Sequence, residues 1–175
     1  MKSLGRSRQA AWGQGSPPAK VAVARAAGEE DFRQALALRV RVFCDEQGVP
    51  REIERDDADE VATHALAYAD GEVVATGRVV RARSDGSFAR LLAAELPGDE
   101  ARVGRMAVAS AARRQGFGEA IIRLLEAEAK AAGLTRASLH AQLHAEGFYA
   151  RQGYLRVGPE FDEAGIVHVA MRKEL

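Results

Sequence analysis

The chain has 175 residues, a length that suits one domain with a buried core. Hydrophobic residues make up 47% and charged residues 29%, which is typical of a globular protein. Lysine plus arginine equals aspartate plus glutamate at 25 each, so the composition predicts neither nucleic-acid nor anionic-membrane binding. The single cysteine, Cys44, excludes an intramolecular disulfide and favours a reducing compartment, so we expect a cytoplasmic protein. No apolar run approaches the roughly 18–20 residues of a membrane span.

The first twenty residues differ in character from the rest. They are rich in glycine, serine, glutamine, proline and basic residues, and they show no apolar periodicity. They also lack the apolar stretch of about 7–15 residues that a secretory signal needs. The pattern therefore predicts a flexible tail over 1–20 and a single domain over 21–175.

The first half of the domain is predicted to hold a strand, a helix and a hairpin. Residues 20–25 alternate like a strand, and 29–43 carry apolar residues at helical spacing with acidic residues in the first turn. A polar, acidic connector then runs to Glu60. Strands at 61–68 and 73–80 follow, joined by an Asp-Gly hairpin turn.

The second half begins with an irregular loop over 84–98, with a short helix at Leu91 and Leu92. The remaining predicted elements are a strand at 103–108, a helix at 116–132, a strand at 136–142, a helix at 144–151 and strands around 154–157 and 166–172. Strands and helices mixed in this order predict an α+β fold.

The segment from Arg105 to Ala120 is the most informative stretch, because a short strand leads through two closely spaced glycines into an amphipathic helix. The first N–H groups of a helix have no intrahelical partner, and the helix dipole adds positive charge there. Glycines at Gly116 and Gly118 allow close approach of a bulky anion, so the segment predicts a pyrophosphate cradle. The P-loop pattern fails because no Gly-Lys-Ser/Thr follows, and the dinucleotide pattern fails because its third glycine is absent.

The spacing Arg113-x-x-Gly116-x-Gly118 resembles the coenzyme A pyrophosphate loop of the GNAT family of N-acetyltransferases. Phe148-Tyr149, followed by Gly153-Tyr154, is similar to the second cofactor motif of that family. A third set of residues resembles the ElaA-type branch, and the resemblance covers roughly residues 21–175. This set consists of Leu38-Arg39, Val42-Phe43, Glu46-Gln47-Gly48-Val49-Pro50, Glu54, Asp56, Asp59, His64 and a tail from Gly158-Pro159 through Phe161, Glu163, Gly165-Ile166 and His168 to Met171.

The resemblance implies a fold and a cofactor. The fold is an α+β (α/β) GNAT-like one, with a mixed, mostly antiparallel sheet of about seven strands, about four helices and a splayed parallel strand pair at the cofactor site. The cofactor is acetyl-CoA, and Gln142 stands where the family often carries an asparagine. The residues implied to contact coenzyme A are Met106, Ala107, Val108, Arg113, Arg114, Gln115, Gly116, Phe117, Gly118, Glu119, Gln142 and Phe148.

Catalysis by such an enzyme needs a general acid and a base. The resemblance implies Tyr149 as the acid that protonates the departing thiolate. Many relatives carry a glutamate base on the strand before the cradle, but this chain has Val103-Gly104-Arg105 there. Histidine titrates near neutral pH, so His64 and His140 are the base candidates, with a buried structural histidine as the alternative for His64.

The acceptor is expected to be a primary amine, carried either by a small molecule or by a protein. The residues expected on the acceptor side are Arg39, Phe43, Glu46, Glu54, Glu163 and His168. Arg39 has an alternative role, in which it pairs with Glu54 or Asp56 to fix the connector. The four histidines show no zinc-ligand spacing, so no metal is expected.

Three functions remain open from the sequence. The first is an acetyl-CoA-dependent N-acetyltransferase that works through a ternary complex. The second is an acyl-homoserine-lactone synthase-like acyltransferase, which Arg39-x-x-x-Phe43 and Glu54-x-Asp56 faintly resemble, although the characteristic tryptophan between them is missing. The third is a non-catalytic coenzyme A-binding sensor or partner module. Relatives often dimerise through sheet edges, so a homodimer is one expected assembly.

Overall fold

A computed structural model describes residues 21–81 and 96–175. The expected tail over 1–20 and the expected short helix at Leu91 and Leu92 lie outside the described residues. The strands are β1 (Ala22–Arg25), β2 (Thr63–Ala69), β3 (Glu72–Arg81), β4 (Glu100–Val108), β5 (Arg136–Gln142), β6 (Leu155–Glu163) and β7 (Ile166–Glu174). The helices are α1 (Glu29–Arg39), α2 (Arg51–Glu54), α3 (Phe117–Ala131) and α4 (Glu146–Arg151).

The described strands form one sheet in the order β1-β2-β3-β4-β5-β7-β6. The pair β4–β5 is parallel, and the other neighbouring pairs are antiparallel. This mixed seven-stranded sheet with four helices confirms the predicted fold class. A parallel pair requires a crossover, and α3 supplies it between β4 and β5.

The hairpin between β2 and β3 follows the sequence prediction. Asp70 and Gly71 adopt φ values of 52° and 83°, and both are left-handed as a type I′ turn requires. Aspartate and glycine tolerate this region better than other residues, so the Asp-Gly pair fixes the turn and with it the strand register.

Two segments differ from the prediction. The acidic connector contains α2 and a 3-10 turn (Asp57–Glu60), which were not predicted because four-residue elements are too short to show apolar periodicity. The sixth strand was expected to end near residue 157, and this boundary is wrong because β6 continues to Glu163. Residues 157–159, including Pro159, interrupt its pairing with β7 between Arg156 and Glu160, which hides the strand pattern.

Helices cover both faces of the sheet. On one face α3 buries Ile121, Ile122 and Leu125 completely against the strands. On the other face α1 buries Leu38, which packs with Val42 and Ala107. Among the described residues, no helix combines the length and the apolar content needed to cross a membrane.

Gly77 on β3 lies against α3 and Met106, where there is no room for a side chain. A Cβ atom built there would lie 2.5 Å from Met106 Sδ and 2.8 Å from Ile121 Cγ2. Gly77→Ala is therefore expected to lower the free energy of unfolding by about 1–3 kcal/mol through overpacking, as measured by urea denaturation. Gly104→Ala on the neighbouring strand is the control, because a Cβ there meets no atom within 4 Å among the described residues. Equal stability of the two variants would contradict the expectation.

Candidate active site

A cleft opens between β4 and β5 beyond their third residue pair. The register joins Glu100 to Arg136, and it ends at Arg102 and Ser138. Beyond that point β4 continues to pair with β3, and β5 continues to pair with β7. The main-chain groups of 103–108 and 139–142 that face each other across this cleft therefore lack a strand partner, and an extended ligand can hydrogen-bond to them. The predicted splayed parallel pair is present at this position.

The predicted pyrophosphate cradle lies where β4 leads into α3. Arg114 and Gly116 have φ values of 62° and 87°, so the loop curls at two left-handed residues. Gly116 is the N-cap of α3, and as a glycine it has no side chain that could cap the first N–H groups of the helix. The first N–H groups of a helix have no intrahelical acceptor, so this end of α3 offers donors and positive dipole to an anion. The arrangement has the chemistry of an anion-binding loop.

Gly118 keeps the space open between this loop and α4. A Cβ atom added there would lie 3.4 Å from the Phe148 ring and 3.5 Å from Val108 Cγ2. These two side chains come from the elements on either side of the cleft. A side chain longer than alanine at position 118 would therefore crowd Phe148 or Val108, and glycine avoids this.

Other residues predicted for the cofactor serve the loop's own structure. Phe117 is buried in the core, and Gln115 donates from Nε2 to the Ala111 carbonyl oxygen at 2.8 Å. Glu119 pairs with Arg123 one helical turn further along. The side chains of Met106 and Val108 are partly buried against the core. A ligand in the cleft would therefore meet their main chains rather than their side chains.

Tyr149 lies on α4 with 7% of its surface exposed. Its ring meets Phe148 edge-on at 5.0 Å and Tyr154 at 6.1 Å between ring centroids. Burial raises the pKa of the Tyr149 hydroxyl, so the group keeps its proton at neutral pH. Tyr149 therefore holds a proton at neutral pH, and its burial makes that proton harder to release.

The β4 strand carries a bulge within the stretch that borders the cleft. Arg105 and Met106 together oppose Gly77, and Arg105 adopts φ 51°. The Arg105 guanidinium donates to the main-chain oxygens of Glu54 at 2.9 Å and Ile53 at 3.3 Å, and to Asp56 Oδ2 at 3.1 Å. The bulge is thereby tied to the end of α2.

Arg39 is fully buried and pairs with two carboxylates of the connector. Its Nε donates to Glu54 Oε1 at 2.6 Å, and its Nη1 donates to Asp59 Oδ1 at 2.7 Å. The predicted alternative of an Arg39–Glu54 pair is present. Arg39 and Glu54 were expected on the acceptor side, but at 0% and 2% exposure they would reach a ligand only through neighbouring residues.

Arg78 on β3 joins the remaining acids. It donates to both oxygens of Asp56, at 2.6 and 2.7 Å, and to Asp59 Oδ1 at 2.6 Å. Burial alone would raise the pKa of Asp59, but the hydrogen bonds and charges of Arg39 and Arg78 outweigh it and hold the pKa well below its usual range. We call the six residues Arg39, Glu54, Asp56, Asp59, Arg78 and Arg105 the charge network.

His64 packs beside the charge network and away from the cleft. In the strand register His64 of β2 lies opposite Arg78 of β3, and Arg78 lies opposite Gly104 of β4. The strand β3 therefore separates His64 from β4. Its Nε2–H donates to the Asp59 carbonyl oxygen at 2.9 Å, and Phe32 meets its ring edge-on at 5.0 Å. Burial lowers the pKa of His64. It borders a cavity of about 410 Å³ between α1 and the start of β2.

Three predicted site residues from distant positions in the chain come together across the neighbouring strands β5, β7 and β6. His140 Nδ1 lies 2.8 Å from Glu163 Oε2, and the Phe161 ring meets His140 edge-on at 4.8 Å. The His168 ring stacks on Phe161 with centroids 6.0 Å apart. We call His140, Phe161, Glu163 and His168 the histidine cluster. The hydrogen bond and charge of His140 lower the pKa of Glu163.

Glu46 and Gln47 connect the two sides of the cleft. Glu46, at the end of a π-helical continuation of α1 (Val40–Glu46), pairs with Arg113 of the cradle. Gln47 accepts from Gln142 Nε2 at 2.8 Å. Glu46 and Phe43 were both expected on the acceptor side, and Phe43 packs against the small core around Leu38.

Sequence reasoning did not single out Arg78, Arg102 or Arg105. Arg78 carries a recognisable signal, because an arginine inside the apolar strand of β3 must find a buried acid. Arg102 donates from Nη1 to His140 Nε2 at 3.1 Å and from Nε to Ser138 Oγ at 3.0 Å. That contact depends on the β4–β5 register, which no local pattern reveals.

Comparison with known proteins agrees with this geometry. Residues 23–175 match the model of the acetyltransferase (GNAT) domain family. The uncharacterized protein YyaT of Bacillus subtilis is 35% identical over 156 residues, covering 87% of this chain and 95% of that protein. The uncharacterized N-acetyltransferase YjcF of the same organism is 31% identical over 150 residues, covering 85% and 96%.

A solved structure supports the same conclusion. An acyl-CoA N-acyltransferase from Pseudomonas aeruginosa superposes with a TM-score of 0.71 at 28% identity, covering 88% of this chain and 99% of that one. The fold, the cleft and these relatives together define an acyltransferase. The chain belongs to the GNAT family of acetyltransferases.

Proposed function

We propose that the protein transfers an acetyl group from acetyl-CoA to a primary amine by direct reaction within a ternary complex. The observation that carries the proposal is the cleft, where β4 and β5 part after Arg102 and Ser138 and β4 then leads into the glycine cradle. An extended pantetheine arm needs unpaired main-chain groups along its length, and a pyrophosphate needs an uncapped helix start.

The residues proposed to hold the cofactor fall into two groups. Main-chain groups of Met106, Ala107 and Val108 would line the arm. Arg113, Arg114 and the loop from Gln115 to Gly118 would meet the pyrophosphate, and Gln142 and Phe148 would close the β5 side. Bound acetyl-CoA would supply the acetyl thioester. Holding an amine beside it lowers the barrier by up to several kcal/mol through proximity alone.

Tyr149 is proposed as the general acid. Its burial keeps the hydroxyl protonated, and it sits on α4 beside Phe148. Tyr149→Phe is expected to lower turnover roughly ten-fold or more while the acetyl-CoA dissociation constant stays nearly unchanged. Steady-state kinetics with calorimetric titration of the same variant measures both. Unchanged turnover would remove Tyr149 from the mechanism.

The proposed function is tested by titrating the protein with acetyl-CoA, coenzyme A and dephospho-coenzyme A, followed by turnover over a panel of amines. We expect micromolar binding and acetylation of at least one amine in the panel. No binding of any of the three ligands would refute the proposal. Binding without turnover would favour a coenzyme A sensor, and activity only with a carrier-protein-bound acyl donor would favour a synthase-like reaction.

The acceptor is proposed to be a small-molecule or protein amine, without nucleic-acid or membrane partners. The equal numbers of acidic and basic residues support this, since they create no large field of one sign. The single thiol suits the cytoplasm. Within the family, the ElaA-like branch is proposed from the connector and tail residues that carried the resemblance.

A further inference from the structure

The side chain of His140 belongs to the stretch of β5 that has separated from β4. Ser138 is the last β5 residue paired with β4, and His140 follows two residues later on the same face of the strand. About a third of its side chain is exposed. His140 is therefore the predicted histidine that borders the cleft, whereas His64 lies two strands from β4 beneath Phe32.

The contacts of His140 define its tautomer. Arginine has only donors, so the 3.1 Å contact from Arg102 Nη1 makes His140 Nε2 an unprotonated acceptor. The proton of the neutral ring then resides on Nδ1, which donates to Glu163 Oε2 at 2.8 Å. The basic nitrogen faces the strand that carries the cleft, and a carboxylate stands behind the ring.

The ring is also held mechanically. Phe161 meets it edge-on at 4.8 Å, and Phe161 is itself stacked on His168. His168 donates from Nδ1 to the Ile166 carbonyl oxygen at 2.8 Å, which fixes the second ring. A base that keeps one orientation loses little entropy when an acceptor arrives.

We propose that His140 is the general base of the reaction, and that Glu163 and Arg102 are positioning residues that set its tautomer and basicity. The inference rests on the proposed acetyl transfer. As the amine nitrogen bonds to the acetyl carbon and the carbon–sulfur bond breaks, the nitrogen's proton passes to His140 Nε2 and the sulfur takes a proton from Tyr149. Solvent then restores both groups. The amine, or a water that it contacts, replaces Arg102 at Nε2, while Arg102 keeps its hydrogen bond to Ser138.

The two charged residues beside His140 should have opposite effects on its protonation. Glu163 stabilises the imidazolium, and Arg102 opposes it, since the guanidinium charge lies within hydrogen-bond distance of Nε2. The other groups that face this pair are His168 from β7 and Arg105 from β4, both of which interact with Glu163. Removing Glu163's charge should therefore disfavour the imidazolium form of His140, and removing Arg102's charge should favour it.

The test is the pH dependence of kcat/KM with one amine acceptor across five variants, of which His64→Asn tests the rival base. The acceptor's own titration is the same in each, so differences report the enzyme. His140→Asn is expected to lower kcat/KM about a hundred-fold at the optimum and to abolish the acidic limb of the profile. Glu163→Gln is expected to move that limb to lower pH, and Arg102→Gln to higher pH. His144→Asn is the control, because the His144 side chain is exposed and lies outside the histidine cluster. This variant should behave as wild type.

Acetyl-CoA titration and urea denaturation of each variant separate chemistry from folding. A structural role would lower stability or cofactor affinity without shifting the limb in opposite directions. If wild type turns over the amine and His140→Asn keeps both rate and limb, the inference fails while the proposed function stands. If the wild type neither binds acetyl-CoA nor acetylates any amine, the proposed function itself fails. If His64→Asn were the one variant that removed the acidic limb, the general base would be His64 and the assignment to His140 would be wrong.

Discussion

Asp59→Asn is expected to lower the free energy of unfolding by about 3–5 kcal/mol, because it leaves two buried arginines short of a counter-charge. Asp59 accepts from Arg39 at 2.7 Å and from Arg78 at 2.6 Å, and its side chain is completely buried. An asparagine can still accept with one oxygen, but its amide group turns two hydrogens towards guanidinium donors. Urea denaturation at neutral pH measures the loss.

The control is Asp57→Asn in the same 3-10 turn, where the side chain is exposed and a change within about 0.5 kcal/mol is expected. A matching small effect at Asp59 would mean that the charge network contributes little to stability. The measurement also has a pH signature. The folded pKa of Asp59 lies well below its unfolded value near 3.9, so its stabilisation is complete above the unfolded value and is lost as the pH falls from there through the folded pKa.

Asp56 adds to this dependence in the same direction. Burial opposes its ionisation, but hydrogen bonds and charge from Arg78 outweigh burial and lower its pKa. The wild type should therefore lose stability as the pH falls below about 4, and Asp59→Asn should show a shallower loss over that range. Parallel curves for the two proteins would show that other carboxyl groups dominate acid unfolding.

The charge network explains how the acidic connector is held against the sheet. Arg105 occupies the bulge of β4, and its guanidinium donates to the main-chain oxygens of Ile53 and Glu54. The connector is thus attached to the strand that lines the cleft. Loops bearing specificity can vary in such a fold while the strand beneath stays fixed.

Local features of the chain could be predicted because their causes are local. The Asp70-Gly71 turn needs two left-handed residues, and Gly116 needs one at the start of α3, so each reveals itself within a few positions. The cradle could be located for the same reason. Elements of four residues such as α2 left no periodicity to detect, and Pro159 concealed the continuation of β6.

Contacts across the sheet could not be predicted in this way. His140 and Glu163 are 23 residues apart, and they lie on β5 and β6 with β7 between them. Their meeting depends on the strand order β5-β7-β6, which follows from packing of the whole domain. Arg102 reaches His140 only because β4 and β5 run parallel for three pairs and then part. Register of this kind is set by tertiary contacts rather than by sequence spacing.

Gly118→Val is expected to weaken acetyl-CoA binding on the order of ten-fold or more, equivalent to at least about 1.4 kcal/mol. A valine Cβ would already touch the Phe148 ring at 3.4 Å and Val108 at 3.5 Å, so its two methyl groups must occupy the opening between the cradle and α4. They would also crowd the first turn of α3, whose N–H groups are the proposed pyrophosphate donors. Calorimetric titration with acetyl-CoA and coenzyme A gives the affinity of each variant.

Ala131→Val is the matched control, since it places the same side chain at the exposed far end of the same helix. Both variants should fold, and Ala131→Val should bind as wild type. The decisive comparison is between ligands: if the crowding acts on the cradle, Gly118→Val should weaken coenzyme A and acetyl-CoA equally, because both carry the same pyrophosphate. A loss confined to acetyl-CoA would place the disturbance at the acyl end of the cleft, and undiminished binding of both would show that the pyrophosphate lies elsewhere.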